Sequence, residues 1–241
     1  MLSAILSQIG SLMVRRFLNK LLFIFGYQIA KIKLGDRLKI KLNTKHPNAK
    51  FVQVGANDGT SFDNLYEFVT QNDWSGIAIE PLPDVFSRLS FNYSFYPKIK
   101  PLNLAVHPTE QDVIIYRVDE EYHSQVPHWA YGSASFIKEN LTKSGLIKEE
   151  QLRAQKVRCE HLMSLVNLHG MCDAVYLQID TEGFDANVIK MIDFKIWKPL
   201  LIKFEWVHLS DSEKEDVSIL LKSNGYALCR DGIDMLAYQK F

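Results

Sequence analysis

The chain has 241 residues, 47% of them hydrophobic and 12% aromatic, enough for one α/β domain with a substantial core. Its 28 basic residues balance its 28 acidic ones, so no net field favours a polyanion and nucleic acid is not an expected partner. Cys159, Cys172 and Cys229 are odd in number, widely spaced and free of any C-x-x-C pair, which argues against a disulfide framework or a zinc site and fits a reducing, cytoplasmic compartment.

Residues 1–34 stand apart as a basic, apolar extension that carries Arg15, Arg16, Lys20, Lys31 and Lys33 and no acid. Their longest uncharged stretches, 1–14 and 21–30, fall short of the roughly 20 apolar residues that span a bilayer. The arginine pair follows the first apolar stretch, the reverse of the order in a cleaved signal. Two readings stay open: helices that pack on the domain or at a homo-oligomer interface, and an amphipathic anchor on an anionic lipid surface at the inner face of the membrane.

From residue 35 to 241 strand and helix patterns alternate, as in a parallel sheet covered on both faces. The run 50–54 predicts a first strand, and Phe62, Leu65, Tyr66 and Val69 at i, i+3, i+4 and i+7 predict a helix over 61–71. A second strand is expected over 76–80. Asp84 is placed to cap a helix whose apolar face is Phe86, Leu89 and Tyr93 and which Pro97 stops. A third strand covers about 99–105, and 113–118 extends or flanks the sheet. Residues 119–135 lack periodicity and read as a long loop, with His123, His128 and Trp129 available for a lid or binding loop. A short helix at 136–143 and an extended piece at 155–160 precede a helix at 161–168, a buried strand at 174–180, a helix reaching 192 and a strand at 200–206. A last helix opens at Asp211 and Ser212 with Glu215 and ends at Asn224-Gly225. An antiparallel hairpin, 226–229 with 235–238, follows through Asp231-Gly232.

In open α/β sheets a ligand sits beyond the strand ends where strand order reverses, against a glycine turn and an acid that holds a ribose. Gly55, Ala56, Asn57, Asp58 and Gly59 follow the first strand, and Glu80-Pro81 end the second. The turn lacks the third glycine of G-x-G-x-x-G, and Asp58 would repel a pyrophosphate, which disfavours a nicotinamide-dependent oxidoreductase. S-adenosylmethionine, with its sulfonium and ammonium, suits an acidic turn. The closing reversed strand also matches a methyltransferase sheet better than a dinucleotide-binding one.

These pieces resemble the FkbM-type methyltransferases: VGANDG at 54–59, IEP at 79–81, NLAV at 103–106, LQIDTEGFD at 177–185 and LIKFEWVHL at 201–209, in family order. The resemblance implies a Rossmann-like class I fold, with a mostly parallel seven-stranded sheet and a C-terminal antiparallel hairpin. It implies transfer of a methyl group from S-adenosylmethionine to a hydroxyl of a sugar, glycan or glycosylated metabolite. The turn at Gly55, Ala56, Asn57, Asp58 and Gly59 would then cradle the methionine part, Glu80 with Pro81 would hold the ribose, and Asn103 and Ala105 would border the adenine. An alcohol is a poor nucleophile and needs a base or a metal. Asp180, Glu182, Glu205 and His208, at the ends of the two strands that follow, are the candidates, and Asp180 with Glu205 also forms a carboxylate pair suited to a divalent ion such as Mg²⁺. The alternative from another class is a non-catalytic binding protein that keeps the fold.

Overall fold

The computed structural model describes residues 33–61, 64–109 and 111–240, so nearly all of the basic extension, and Phe62 of the first expected helix, lie outside the described residues. The chain divides into two units, Met1–Arg37 and Leu38–Phe241. No helix among the described residues is long and apolar enough to cross a membrane.

After α1 (Leu34–Lys45), β1 (Lys50–Val54), α2 (Leu65–Gln71), β2 (Ser75–Ile79), α3 (Pro83–Asn92) and β3 (Ile99–Leu102) build one side of a sheet, with β1 parallel to β2 and β2 parallel to β3. The expected third strand breaks at Asn103. Pro101 cannot donate to a further ladder, which keeps β3 at an edge, and Asn103 turns its amide back to donate to Glu80 O at 2.9 Å and Pro81 O at 3.1 Å. The chain re-enters extended structure as β4 (Ala105–Val106).

The segment 113–157 differs most from expectation. β5 (Val113–Val118) does not join the main sheet. It forms the centre of a separate antiparallel sheet with β6 (Ala134–Ser135) and β7 (Leu152–Val157), in register from Val113 opposite Val157 to Val118 opposite Leu152. Short 3₁₀ turns fill the expected loop, and α4 (Lys138–Thr142) follows β6. β8 (Cys159–Glu160) pairs with β4 in parallel and leads into α5 (Leu162–Leu168).

The chain then returns to the other side of β1. β9 (Tyr176–Ile179) pairs with β1, Val54 opposite Ile179, and after α6 (Asp185–Lys190) β10 (Leu201–Glu205) pairs with β9, all in parallel. Beyond α7 (Asp211–Ser223), β11 (Ala227–Asp231) and β12 (Asp234–Tyr238) form the hairpin, β12 antiparallel to β10. The order β11-β12-β10-β9-β1-β2-β3 is the mostly parallel, seven-stranded class I methyltransferase arrangement. The first residue of α7 is set by Ser210, not by Asp211 or Ser212: Ser210 Oγ accepts from Glu213 N while Glu213 returns a carboxylate oxygen to Ser210 N.

Alternation along the strands divides the core between two faces. Val52, Val54, Leu177, Ile179, Ile202 and Phe204 join side chains of α5, α6 and α7 in one apolar cluster. On the opposite face Trp74 meets Phe68 and Tyr176 edge-on, with ring centroids 5.3 and 6.2 Å apart. Strand order reverses between β1 and β9, so Gly55 and Asp180 emerge side by side from adjacent carboxyl ends.

Candidate active site

A cavity opens at this reversal, with about 670 Å³ of empty space when its open mouth is counted. Gly55 and Asn57 line it from the turn after β1, Glu80 and Pro81 from the end of β2, Leu104 from the β3–β4 connection, Ala105 and Val106 from β4, and Asp180, Thr181 and Glu182 from the turn after β9. Ile115, Gly132, Ser133, Ala134 and Phe136 close it from the antiparallel subdomain. The lining carries three carboxylates and no Lys, Arg or His side chain.

The turn after β1 works through its shape. Gly55 and Ala56 both donate their N–H to Ile79 O, Asn57 N donates to Glu80 Oε2 at 3.0 Å, Asp58 N to Asn57 Oδ1 at 2.7 Å, and Gly59 N to Ala56 O at 2.9 Å. Every N–H of the turn is thus taken internally, and no amide is left to cradle an anion. Ala56, Asp58 and Gly59 do not line the cavity. Asp58 instead accepts from Thr60 N, Ser61 N and Ser61 Oγ at 2.7 to 2.9 Å. Partial burial opposes its charge, but these donors outweigh that and hold the carboxyl below its ordinary range. It is an Asx turn that starts the next segment, a role its D-G-T-S context encodes.

Glu80 is buried, and each oxygen already accepts one backbone N–H, Asn57 N on Oε2 and Leu82 N on Oε1 at 2.9 Å. Each oxygen keeps a second lone pair for a ligand hydroxyl. Burial pushes its pKa up to about 7, partly offset by the two N–H bonds and by the positive charge of Arg117. Asn103 stays outside the cavity as the clamp on Glu80 and Pro81 described above, while Ala105 is in its wall. Arg117, fully buried on β5, forks onto Asp84, with Nη2 to Oδ2 at 3.0 Å, and donates to Tyr131 O at 3.3 Å. Asp84 therefore serves as an ion-pair partner, and Leu82 with Pro83 at the first helical position begins α3.

The second half of the site rests on Asp185, the fully buried first residue of α6. Its Oδ2 accepts from Thr181 Oγ1 at 2.6 Å and Thr181 N at 3.2 Å, and its Oδ1 from Glu205 N at 2.9 Å. One carboxylate thus fixes the turn after β9 to the end of β10, at the cost of a pKa raised by burial to about 6. Glu182 holds a left-handed φ of 52°, and its carbonyl accepts from Ser135 Oγ at 2.8 Å and Asn140 Nδ2 at 3.0 Å. A β-carbon on the adjacent Gly183 would overlap the Asn140 amide.

At the end of β10, His208 Nδ1 lies 2.7 Å from Glu205 Oε2 and 3.4 Å from Glu182 Oε2. The hydrogen bond to Glu205, reinforced by both negative charges, raises the imidazole pKa against the opposing effect of burial. Burial and Glu205 raise Glu182 in turn. Asp180 is exposed at the wall of this concave cavity. This recess, with Glu182, Asp185 and Glu205 nearby, drives its pKa well above the carboxylate range. Ligand atoms of Glu182, Glu205 and His208 all lie within 4.8 Å of one another, and Asp180 is outside that group. The expected metal pair joined Asp180 to Glu205; the three side chains close enough to share one ion are Glu182, Glu205 and His208. Of the loop histidines, His123 stacks on Tyr131 with centroids 4.2 Å apart and His128 leans on the same ring at 4.9 Å, so both serve the loop's own packing.

No curated protein matches the chain in sequence. Among solved structures it is similar to an FkbM methyltransferase from Methylobacillus flagellatus, at 15% identity and TM-score 0.48, over 80% of this chain and 44% of that one. It is similar to a precorrin-6y C5,15-methyltransferase from Geobacter metallireducens, at 9% identity and TM-score 0.44, over 85% of this chain and 87% of that one. A fibrillarin pre-rRNA processing protein from Methanococcus jannaschii aligns at 9% identity and TM-score 0.40, over 80% of this chain and 67% of that one. Residues 53–228, well over half of the chain and the stretch that builds the cavity, match the methyltransferase FkbM domain. The chain belongs to the FkbM methyltransferase family.

Proposed function

We propose that the protein transfers a methyl group from S-adenosylmethionine to a hydroxyl of a sugar, glycan or glycosylated metabolite. The observation that carries this reading is the Glu205–His208 pair, 3.4 Å from Glu182 in the wall of a cavity rich in carboxylates and free of cationic side chains. Such a lining repels the pyrophosphate of a nicotinamide dinucleotide and favours a sulfonium and an ammonium. It also fits the donor on other counts: Glu80 retains two acceptor positions for the ribose hydroxyls, and Leu104, Val106, Ile115 and Phe136 give an apolar slot for a purine. The side-chain amide of Asn57 is the donor left for the amino-acid carboxylate, with Asp180 and Glu182 facing the ammonium.

When bound, the donor supplies an electrophilic methyl group on a cationic sulfur. With Nδ1 protonated and held by Glu205, His208 presents Nε2 as the base for the acceptor O–H. Glu182, second in reach of Nδ1, stabilises the imidazolium that results. A second reading uses the same three side chains to hold a divalent cation that acidifies the hydroxyl, since their ligand atoms are close enough to share one ion.

Mass spectrometry of a panel of sugar, amine and thiol acceptors after incubation with the donor tests the assignment. Methylation confined to hydroxyls, and lost in His208→Ala, is expected; transfer to nitrogen or sulfur alone would overturn it. Retained activity in a chelator separates the base from the metal reading.

A further inference from the structure

A second recess, with about 620 Å³ of empty space counting its open side, adjoins the cavity and shares Glu182 with it. Trp129, Asn140, Leu141, Lys143, Val207 and His208 line it. His208 lines the recess 3.4 Å from Glu182, the residue that both spaces share, so an acceptor oxygen in the recess can meet its base there.

Two features of the recess select a ligand. Trp129 is 40% exposed, yet the backbone around it is fixed. Ala130 is fully buried, Tyr131 stacks on His123, Arg117 holds the Tyr131 carbonyl, and Ser133 Oγ donates to the Trp129 carbonyl at 3.3 Å. An indole held out from an anchored turn is a ready platform for the face of a ring. Lys143, at the end of α4, is the one lysine or arginine in the lining, and its charge acts on His208 against those of Glu205 and Glu182. No carboxylate among the described residues pairs with it. A neutral acceptor has no use for this charge, whereas an anionic substituent on the ring would satisfy it and fix which hydroxyl faces His208.

We infer that this recess is the acceptor subsite, and that it takes a hydroxylated ring bearing an anionic group, its face on Trp129 and its carboxylate or phosphate ester at Lys143. The inference rests on the methyl-transfer reading above and adds the acceptor's charge to it.

Calorimetric titration of the protein saturated with S-adenosylhomocysteine, using glucuronate, glucose 6-phosphate and glucose as probes, tests it. At least one anionic sugar is expected to bind about tenfold or more tighter than glucose, and the two arms separate a carboxylate from a phosphate. Lys143→Met should erase that preference and leave S-adenosylhomocysteine affinity unchanged, and Trp129→Ala should weaken every sugar. Glucose binding as tightly as both anionic sugars, no sugar binding at all, or a preference that survives Lys143→Met would overturn the inference while the donor site stands. Failure of S-adenosylhomocysteine itself to bind would overturn the underlying reading, and this one with it.

Discussion

A β-carbon on Gly55 would overlap the carbonyl oxygen of Asp180, so the turn after β1 and the turn after β9 meet at the one place where only a glycine fits. Gly55 also holds φ +78°, a conformation that costs any other L-residue about 1–2 kcal/mol. Gly55→Ala is therefore expected to force the two strand ends apart, lowering Tm by about 5 °C and S-adenosylhomocysteine affinity more than tenfold. Differential scanning calorimetry and a binding titration on the same sample check both effects.

Glu80 should set the pH dependence of the proposed donor site. Its pKa is ordinary in the unfolded chain and about 7 in the folded one, so between pH 4.5 and 7 the native state binds more protons and stability falls as pH rises. The full cost, reached above pH 7, is about 3 kcal/mol. Denaturant titrations of wild type and Glu80→Gln should diverge across that window, with the variant the flatter. Ligand binding runs the other way, because ribose hydroxyls donate to the ionised carboxylate. Affinity for S-adenosylhomocysteine should rise about tenfold from pH 6 to 8 in wild type and stay level in the variant.

The His208–Glu205 pair makes a kinetic prediction. His208 must lose its proton to act as a base, and Glu205 raises its pKa, so methyl transfer should climb with pH through a midpoint above that of free histidine. Glu205→Gln removes the raising interaction and should move the limb to lower pH while reducing kcat. His208→Ala should reduce kcat by about 10²–10⁴ and leave donor binding intact. A pH-rate profile whose acid limb does not move in Glu205→Gln would assign the limb to another group.

Asp185 touches no ligand in this account, yet it satisfies Thr181 and the N–H of Glu205 from a fully buried position. Asp185→Ala leaves these donors unpaired, at about 1–3 kcal/mol each. Thermal unfolding should show a loss of several degrees, and kcat should drop further than the unfolded fraction explains, because Glu205 loses its placement.

The site was legible in the sequence where its residues sit at strand ends. Glu80, Asp180, Glu182, Glu205 and His208 each follow a short β-rich run, and β-strands of a parallel sheet end at the same edge. The E-x-x-H spacing that joins Glu205 to His208 is local, so their pairing was within reach of the sequence. The other wall was not. Arg117 in V-I-I-Y-R-V looks like a solvent-facing residue on an edge strand, and its burial depends on Asp84, 33 residues earlier, and on the pairing of β5 with β7. No short-range pattern encodes such a partnership. Ser133 and Gly132 entered the site through the same long-range fold. Their one local trace is the small-residue run at 132–135, where Gly132 lets the loop reach the Asn57 amide. Asp58 and Asn103 show the reverse case: polar residues beside a ligand turn can be spent on shaping it.

The most direct test of the account is calorimetric titration of the full chain with S-adenosylhomocysteine and, in parallel, NAD, on wild type and Glu80→Ala. Micromolar binding of the nucleoside, no binding of NAD, and loss of the first in the variant are predicted. Tighter binding of NAD, or nucleoside binding untouched by the loss of Glu80, would contradict the assignment of this cavity to the methyl donor.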